Sequence, residues 1–325
     1  MERVRVTTAD DLRPLMFSIA YRMLGSVSEA EDMVQEAFLR YQGALDKGED
    51  IESPKAYLSA VVTRLAIDQL RSARVRRERY VGQWLPEPLV TDEEADPAAQ
   101  AEQADSLSMA FLLLLERLTP LERAVFLLHD VFAYGYDEIA AIVGKSEANC
   151  RQLASRARRH VESGKPRFEA SRRERDALAE RFFAAVSDGD LDGLVEMLAA
   201  DVVVYGDGGG KAPQWGRPIV GADRVGRLFV TLGRQMAELG VTAELRQVNG
   251  QPGAVVLDRD GQVVNVFSLE IVDGAVQTVR SVINPDKLHH VGPVADAWAL
   301  LRSLDFGDDV TCLPPAIAGG KLERG

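Results

Sequence analysis

The spacing of apolar residues predicts that the first part of the chain is helical. Between residues 10 and 42 apolar positions recur at steps of three and four, as amphipathic helices require. The segment 25–28 interrupts this pattern, and Ser28 with Glu31 has the form of a capping box. We therefore expect a helical hairpin here, followed by a third helix that starts at Pro54.

A second helical region follows a segment rich in proline and acidic residues. Residues 84–103 contain three prolines among acids and alanines, and we interpret them as a linker. Helices resume near residue 107, and Thr119 is expected to cap one of them. The two short helices predicted at 137–143 and 147–161 flank a glycine-containing turn, which is typical of a helix-turn-helix.

Beyond residue 165 the apolar period changes from helical to a mixture of helix and strand. Aspartate-glycine pairs separate alternating runs, and such pairs favour β-hairpins. The sequence thus predicts a multi-domain chain in which two all-α regions precede an α+β domain built on an antiparallel sheet. The predicted helices are 174–186, 191–198 and 223–239, and the predicted strands are 201–205, 241–248, 254–258, 262–272 and 275–282.

Composition narrows the class of protein. A chain of 325 residues exceeds one ordinary domain, and 27% charged residues argue against a membrane protein. The longest apolar run, at 109–115, is far short of the roughly 20 residues that a membrane span needs. Cys150 and Cys312 match no metal-ligand spacing and indicate a reducing compartment. We expect a cytoplasmic protein.

The formal net charge of -12 is unfavourable for a nucleic-acid ligand, but the charges are segregated. Basic residues crowd 71–79 and 151–175, whereas 80–116 contain no lysine or arginine and many acids. Phosphate contacts depend on local cationic charge rather than on the total. Two separate basic patches therefore remain candidates for nucleic-acid contacts.

The second predicted helix of the helix-turn-helix has two distinct faces. Cys150, Leu153, Ala154 and Ala157 fall on one side and would pack inward. The opposite side carries cationic and amide side chains that can reach phosphates and base edges. The alternative is a plain helical hairpin whose arginines are only solvated.

The other basic stretch extends the helix that begins at Pro54. A cationic helix beside a polar loop and an aromatic residue, here Tyr57, suits a single-stranded nucleic acid. Such a strand needs positive charge along its backbone and surfaces on which its bases can stack. The alternative for Tyr57 is an ordinary packing role.

The glycine cluster at 205–211 superficially resembles a phosphate-binding loop. The spacing from Gly206 is one residue short, and Ala212 replaces the required hydroxyl, so nucleotide binding is disfavoured. A contact loop is the preferred interpretation, and a tight structural turn is the alternative. The histidines show no metal spacing, and neither a metal site nor a cofactor is predicted.

Catalysis is a further alternative, because some α+β enzymes use a buried aspartate base and a tyrosine or acid as hydrogen-bond donor. Asp207 and Tyr205 could take those roles, with Trp215 and Phe229 as apolar lining. A fold alone does not establish a site, and the chain is not expected to be an enzyme.

Ordered motifs identify a family. Residues 32–38 (DMVQEAF), 54–58 (PKAYL) with 67–71 (IDQLR), and 118–123 (LTPLER) with 137–140 (DEIA) resemble, in this order, the signatures of the extracytoplasmic-function sigma factors. Three further segments resemble those of the members that carry a SnoaL-like extension, a cone fold shared with polyketide cyclases and ketosteroid isomerases. These are 84–88 (WLPEP), 207–211 (DGGGK) and 284–288 (NPDKL).

The resemblance implies four groups of functional residues and no catalytic one. Contacts to the clamp helices of the largest polymerase subunit would come from Asp32, Gln35 and Glu36. The -10 promoter element would be bound by Lys55, Tyr57, Arg64, Arg71, Arg74, Arg76 and Arg77. The -35 element would be bound by Glu147, Asn149, Arg151, Gln152, Ser155, Arg156 and Arg159. Interdomain regulatory contacts would come from Trp84, Pro86, Asp207, Gly208, Gly209, Gly210, Lys211, Asn284, Pro285 and Asp286.

This sequence departs from the family's usual pattern at three of its positions. Many relatives carry asparagine at the position of Arg64, tryptophan at Tyr57 and a β-branched residue at Lys145. These differences concern -10 recognition and the packing of the turn.

The resemblance also implies a domain organisation and a function. We expect a sigma-2 domain at 1–82, an acidic linker at 83–106, a sigma-4 helix-turn-helix domain at 107–164, a SnoaL-like regulatory domain at 165–290 and a tail at 291–325. The expected partners are the polymerase core enzyme, promoter DNA and an unidentified small molecule in the cone pocket, with no membrane and no separate anti-sigma factor. The alternatives are a DNA-tethered isomerase or cyclase and a regulator that senses a small molecule.

Overall fold

The computed structural model describes residues 9–77, 80–91, 106–162 and 171–303, with the backbone alone for 73–77. The chain forms two compact units. The helical unit comprises Met1–Arg79 and Phe111–Lys165, and the sheet unit comprises Tyr80–Ala110 and Pro166–Gly325. The chain therefore leaves the helical unit after its first part and returns to it later. Most of the predicted linker and most of the predicted tail lie outside the described residues.

The predicted helical hairpin is confirmed, and a long third helix follows it. Helix α1 spans Arg13–Leu24, α2 spans Val27–Asp46 and α3 spans Pro54–Arg77. The predicted cap was wrong: Gly25 adopts a left-handed conformation that ends α1, so the chain turns early and Ser26 caps α2. The hydroxyl of Ser26 accepts a hydrogen bond from the Glu29 amide at 3.1 Å.

The second helical region contains the predicted helix-turn-helix. After α4 (Met109–Leu115), Thr119 caps α5 (Pro120–Phe126) with a capping box, and α5 continues as a π-helix over Leu127–Val131. Helix α6 (Tyr136–Val143) and helix α7 (Glu147–Glu162) follow. Gly144 ends α6 with a φ of 65°, a left-handed conformation that glycine adopts without a steric penalty.

Helix α3 packs against the second helical region inside the helical unit. The hydroxyls of Ser59 and Tyr134 form a buried hydrogen bond of 2.7 Å. The guanidinium of Arg123 donates to the Met23 carbonyl at 2.6 Å and pairs with Glu116 at 2.8 Å. Burial lowers the pKa of Arg123 to about 9. These polar contacts join the two helical regions within one unit.

The sheet unit combines a mixed sheet of seven strands with helices. Its helices are α8 (Arg172–Asp188), α9 (Leu191–Met197), α10 (Ala222–Leu239) and α11 (Ala297–Arg302). Its strands are β1 (Val90–Thr91), β2 (Leu198–Asp207), β3 (Ile219–Val220), β4 (Thr242–Val248), β5 (Gln251–Leu257), β6 (Val263–Val272) and β7 (Ala275–Val282).

The strands are ordered β1-β4-β5-β6-β7-β2-β3. All neighbours are antiparallel except β2 and β7, which are parallel, so the prediction of a purely antiparallel sheet was wrong for this pair. The predicted turn between β6 and β7 is present: Asp273 and Gly274 have φ of 51° and 75°, as a type I′ hairpin turn requires. Phe182, Phe229 and Phe267 pack edge to face in the core between helices and sheet.

The described part of the predicted linker belongs to the sheet. Strand β1 pairs with β4, with Val90 opposite Val248. The Leu89 amide donates to the side-chain oxygen of Asn249 at 3.0 Å, and the Asn249 backbone amide donates to the Leu89 carbonyl at 2.8 Å. Residues 80–91 are therefore an ordered extension of the sheet unit. Among the described residues, no helix is long and apolar enough to cross a membrane.

Candidate functional site

Helix α7 presents the exposed polar face that its sequence predicts. Cys150, Ala154, Ala157 and Val161 are buried. The predicted -35 contacts are all exposed, namely Glu147, Asn149, Arg151, Gln152, Ser155, Arg156 and Arg159. A helix with one buried apolar face and one exposed cationic face has the form that can enter the major groove of DNA.

Two arginines of α7 are held in place by neighbours. Arg151 pairs with Glu147 at 2.6 Å, and its guanidinium lies 5.1 Å from the centre of the Tyr136 ring. Arg158 pairs with Asp130 at 2.7 Å, and this contact raises its pKa. Arg158 thus faces the π-helix segment after α5 and anchors α7 to it.

The residues predicted for -10 contacts have different surroundings along α3. Lys55 lies 4.9 Å from the centre of the Tyr134 ring, and Tyr57 packs against Tyr41. Arg64 donates to the carbonyls of Ile142 and Ala141 at 2.8 and 3.0 Å, at the carboxyl end of α6. A cation there is favoured by the helix dipole.

Further along α3, the exposed Arg71 pairs with Asp68 at 3.0 Å. The side chains of Arg74, Arg76 and Arg77 lie outside the described residues. Of the described -10 candidates, Lys55 and Arg64 therefore contact the second helical region. Tyr57 packs against α2, and Arg71 is exposed.

The predicted polymerase contacts lie on the exposed side of α2. Asp32 and Gln35 are exposed, and Glu36 pairs with Arg40 at 2.7 Å. Next to them the side chain of Leu39 is 61% exposed. The spacing of these four residues along α2 places them on one face of the helix.

A buried ion pair connects residues 80–91 to the rest of the sheet unit. Asp207 ends β2 and is fully buried; its carboxylate is 2.7 Å from the Nζ of Lys287. It also accepts hydrogen bonds from the Leu85 amide at 2.8 Å and from the Tyr80 hydroxyl at 2.5 Å. We call Tyr80, Trp84, Asp207, Asn284 and Lys287 the buried cluster.

The lysine of the buried cluster is surrounded on several sides. Its Nζ donates to the Leu85 carbonyl at 2.5 Å and lies 4.5 and 4.9 Å from the ring centres of Trp84 and Tyr80. Asn284 donates to the Tyr80 hydroxyl at 2.8 Å. Burial, and then the nearby Asp207 carboxylate, raises the pKa of Tyr80 well above its usual value, so this phenol stays protonated.

The glycine cluster forms a tight turn that contacts the same segment. The amides of Lys211 and Ala212 donate to the Gly208 carbonyl at 2.9 and 3.1 Å. Gly209 has a φ of 58°, and a Cβ at this position would lie 2.9 Å from the Tyr80 hydroxyl. Glycine is therefore required here both for its backbone conformation and for the close approach.

Around this turn, Lys211 pairs with Asp286 in an exposed ion pair. Pro285 begins a short 3₁₀ helix that Asn284 caps. Pro86 is buried within the attached segment. The residues predicted for interdomain contacts thus lie around the attachment of residues 80–91.

The alternative catalytic assignment does not fit the geometry. A cavity of about 430 Å³ in the sheet unit is lined by Trp215 but by neither Asp207 nor Tyr205. Asp207 is instead occupied by the buried cluster, and Phe229 belongs to the core. A general base must reach the reacting proton, so Asp207 cannot serve as a base in this cavity.

Sequence reasoning did not assign a role to two members of the buried cluster. Tyr80 follows the arginine-rich stretch and carries no motif of its own. Lys287 lies inside the 284–288 motif, yet its role was not assigned. A buried lysine needs a carboxylate partner. The 207–211 motif contains the acid Asp207, and this could have indicated the pairing of Asp207 with Lys287.

Comparisons with known proteins agree with this organisation. Family models match "Sigma-70 region 2" over residues 9–76, "Sigma-70, region 4" over 108–161 and "SnoaL-like domain" over 179–283. The chain is 39% identical over 294 residues to the extracytoplasmic-function sigma factor SigJ of Mycobacterium tuberculosis, covering 87% of this chain and 93% of SigJ. It is 34% identical to the probable sigma factor SigI of that organism, covering 85% of this chain and 92% of SigI.

The fold agrees as well. The crystal structure of Mycobacterium tuberculosis SigJ superposes with a TM-score of 0.68 at 37% identity, covering 87% of this chain and 98% of the SigJ chain. The matched relatives extend over both helical regions and the sheet unit. The chain therefore belongs to the extracytoplasmic-function sigma factors of RNA polymerase, within the group that carries a C-terminal SnoaL-like domain.

Proposed function

We propose that this protein binds the core enzyme of RNA polymerase and directs it to a promoter, and that its SnoaL-like domain controls this activity. The carrying observation is the combination of the two sigma regions with the exposed cationic face of α7. We propose that α7 binds the -35 element in the major groove, since its outward side chains are of the types that contact phosphates and base edges.

The surface of α2 is the proposed contact with the polymerase core. Asp32, Gln35 and Glu36 offer acceptors to cationic partners, and the exposed Leu39 adds apolar area beside them. A central apolar residue ringed by polar groups is the usual composition of a protein interface. The clamp helices of the largest polymerase subunit are the proposed partner.

Recognition of the -10 element is proposed for α3. Lys55 and Arg64 contact Tyr134 and the end of α6. If both residues bind DNA, α3 must first separate from α6. We therefore propose that the described arrangement of the helical unit is a closed form and that promoter binding requires its opening.

The SnoaL-like domain is the proposed regulator because it holds the segment that follows α3. Residues 80–91 are bound by Asp207, Lys287 and strand β4, only a few residues after the basic end of α3. We propose that loosening this attachment changes the freedom of α3. The expected domain limits, 1–82, 83–106, 107–164, 165–290 and 291–325, stay a proposal, with 80–91 acting together with the third domain.

Two further expectations stay predictions. We propose a cytoplasmic location, where polymerase and promoter DNA are found. We also propose that the SnoaL-like domain takes the place of a separate anti-sigma factor.

In-vitro transcription tests the proposal. Core polymerase with this chain should initiate from a cognate promoter selected from genomic fragments, and core polymerase alone should not. Replacing Asp32 and Glu36 together by lysine should abolish initiation while leaving core-free DNA binding unchanged. The absence of promoter-dependent initiation, with both the full chain and a chain shortened after residue 303, would overturn the proposal.

A further inference from the structure

The sheet unit contains a cavity that the sigma function does not use. Its volume is about 430 Å³, within the range of roughly 300–1,000 Å³ that small-molecule sites occupy. Helix α10 forms one wall with Leu228, Leu232 and Met236, the sheet forms another, and α11 contributes Leu300 and Leu301. The walls are mainly apolar, so the cavity suits a mainly apolar ligand.

Five neutral polar side chains interrupt the apolar lining, and Thr231 and Gln235 of α10 are two of them. The other three, Gln214, Asn265 and Ser281, are hydrogen-bonded to one another. The amide nitrogens of Asn265 and Gln214 donate to the hydroxyl of Ser281 at 2.9 and 3.1 Å. Asn265 and Ser281 are buried, and all three residues line the cavity. These hydrogen bonds hold the three side chains in a defined arrangement. We call Gln214, Asn265 and Ser281 the polar spot.

The hydrogen-bonding capacity of this spot is not exhausted. Each primary amide nitrogen carries two hydrogens, and Ser281 takes one from each. Among the described residues, neither nitrogen has a second acceptor. Two N–H donors that border one apolar cavity are suited to a carbonyl oxygen of a ligand, and an apolar ligand without an acceptor would leave them unpaired.

The charges at the cavity exclude some ligand classes. Arg224 and Arg227 are the charged side chains of the lining; both are exposed, and Arg227 pairs with Asp223 at 2.9 Å. The described lining contains no carboxylate, histidine or tyrosine. It therefore offers neither a counter-ion for a cation nor a base that could remove a proton from a bound ketone.

We propose that this cavity binds a neutral, mainly apolar ketone, with its carbonyl oxygen at the amides of Gln214 and Asn265, and that the ligand is bound without being converted. This deepens the proposed regulatory role of the SnoaL-like domain, and only its effect on transcription rests on that role. Helix α11 closes part of the cavity, so the bound ligand contacts Leu300 and Leu301 and stabilises this helix.

The test compares three probes of one shape by calorimetry on the full chain. These are 2-acetylnaphthalene, 2-ethylnaphthalene, which lacks the acceptor, and 2-naphthoate, which is anionic. The ketone is expected to bind at least tenfold more tightly than either analogue. Equal or tighter binding of 2-ethylnaphthalene would overturn the role of the amides, tighter binding of 2-naphthoate would overturn neutrality, and no binding of any probe would overturn the site.

Variants localise the binding. Asn265→Leu should weaken ketone binding at least tenfold and leave 2-ethylnaphthalene binding within twofold. Leu232→Trp should abolish binding of both by filling the cavity, whereas Leu245→Trp, on the exposed edge of β4 and outside the lining, should change neither. Circular dichroism checks that each variant is folded. Unchanged ketone binding by Leu232→Trp would contradict the location.

Two readouts separate binding from catalysis and from transcription. The methyl hydrogens of 2-acetylnaphthalene should exchange with D₂O at the uncatalysed rate, and acceleration by the protein would overturn binding without conversion. Hydrogen exchange at α11 should slow at least threefold with the ketone, and an unchanged rate would overturn the contact with α11. Neither readout contains polymerase, so a failure of the proposed sigma function would leave both results intact.

Discussion

The Nζ of Lys287 lies 2.7 Å from the carboxylate of Asp207, in a place where the two side chains are 9% and 0% exposed. Because water is almost excluded, each charge is stabilised by the other and by the surrounding groups of the buried cluster. The pair also binds both backbone groups of Leu85. One ion pair therefore connects the sheet with the segment that follows α3.

Replacing Lys287 by methionine should destabilise the sheet unit by about 3–5 kcal/mol, because Asp207 would keep a buried charge without its partner. The double variant with Asp207→Asn should recover part of this loss. All three tryptophans, at 84, 215 and 298, belong to the sheet unit, so urea unfolding followed by their fluorescence measures it. The control is Lys211→Met, which breaks an exposed pair and should cost less than about 1 kcal/mol. Equal losses of stability for Lys287→Met and Lys211→Met would show that the buried ion pair contributes no more than the exposed one.

Replacing Gly209 by alanine should loosen residues 80–91 from the glycine turn. The new Cβ would collide with the Asn284 side chain and the Tyr80 hydroxyl, in addition to the strain of a left-handed residue. Hydrogen exchange at the Leu85 amide should rise at least tenfold. Gly274→Ala carries the left-handed strain without any close neighbour, and it should leave this amide unchanged.

The stability of the sheet unit should fall at alkaline pH through Tyr80. Burial and the Asp207 carboxylate raise the pKa of Tyr80 above its ordinary value of 10.0. A group with a raised pKa in the folded state adds stability that is complete below the unfolded pKa and is lost as the pH rises above it. From about pH 10 upward, Tyr80→Phe should therefore lose less stability than the wild type. Parallel loss by both proteins in urea unfolding would refute a role of this phenol.

Loss of the buried hydroxyl pair should weaken the helical unit. Ser59→Ala leaves the Tyr134 hydroxyl without this partner and should cost about 1–3 kcal/mol. Adding Tyr134→Phe should cost little more, because the pair acts as one unit. Thermal unfolding followed by helical circular dichroism measures this, with the exposed Ser155→Ala as control. Strictly additive losses would mean that the two hydroxyls are energetically independent.

Substitutions on α7 should separate DNA contact from helix anchoring. Arg156→Ala should lower promoter affinity and reduce the salt dependence of binding by about one phosphate contact. Arg158→Ala should instead reduce stability, because Arg158 is engaged by Asp130. Anisotropy of a labelled duplex across salt concentrations distinguishes the two. A salt slope that Arg156→Ala leaves unchanged would remove it from the interface.

Local patterns predicted most of the secondary structure because helices and hairpins are encoded by neighbouring residues. The helix-turn-helix and the turn at Asp273 followed directly from apolar periods and from glycine. The cap of α2 was missed by two residues, because both Ser26 and Ser28 satisfy the capping pattern and only the conformation of Gly25 selects between them.

Contacts between segments that are distant in the chain were harder to predict from the sequence. The parallel pairing of β2 with β7 has no local signature. Tyr80 and Lys287 were missed because their contacts with Asp207 join residues that are 127 and 80 positions apart. The cavity escaped prediction for the same reason, since its lining comes from α10, α11 and several strands.

The attachment of residues 80–91 to the sheet unit also sets an order of events during synthesis. Leu85 leaves the ribosome 122 residues before Asp207, its hydrogen-bond acceptor. At typical translation rates this delay is on the order of ten seconds. Both sigma regions are complete before the residues that restrain the segment exist. A newly made chain thus passes through a period in which both sigma regions have been synthesised while the residues that bind the 80–91 segment are still being translated.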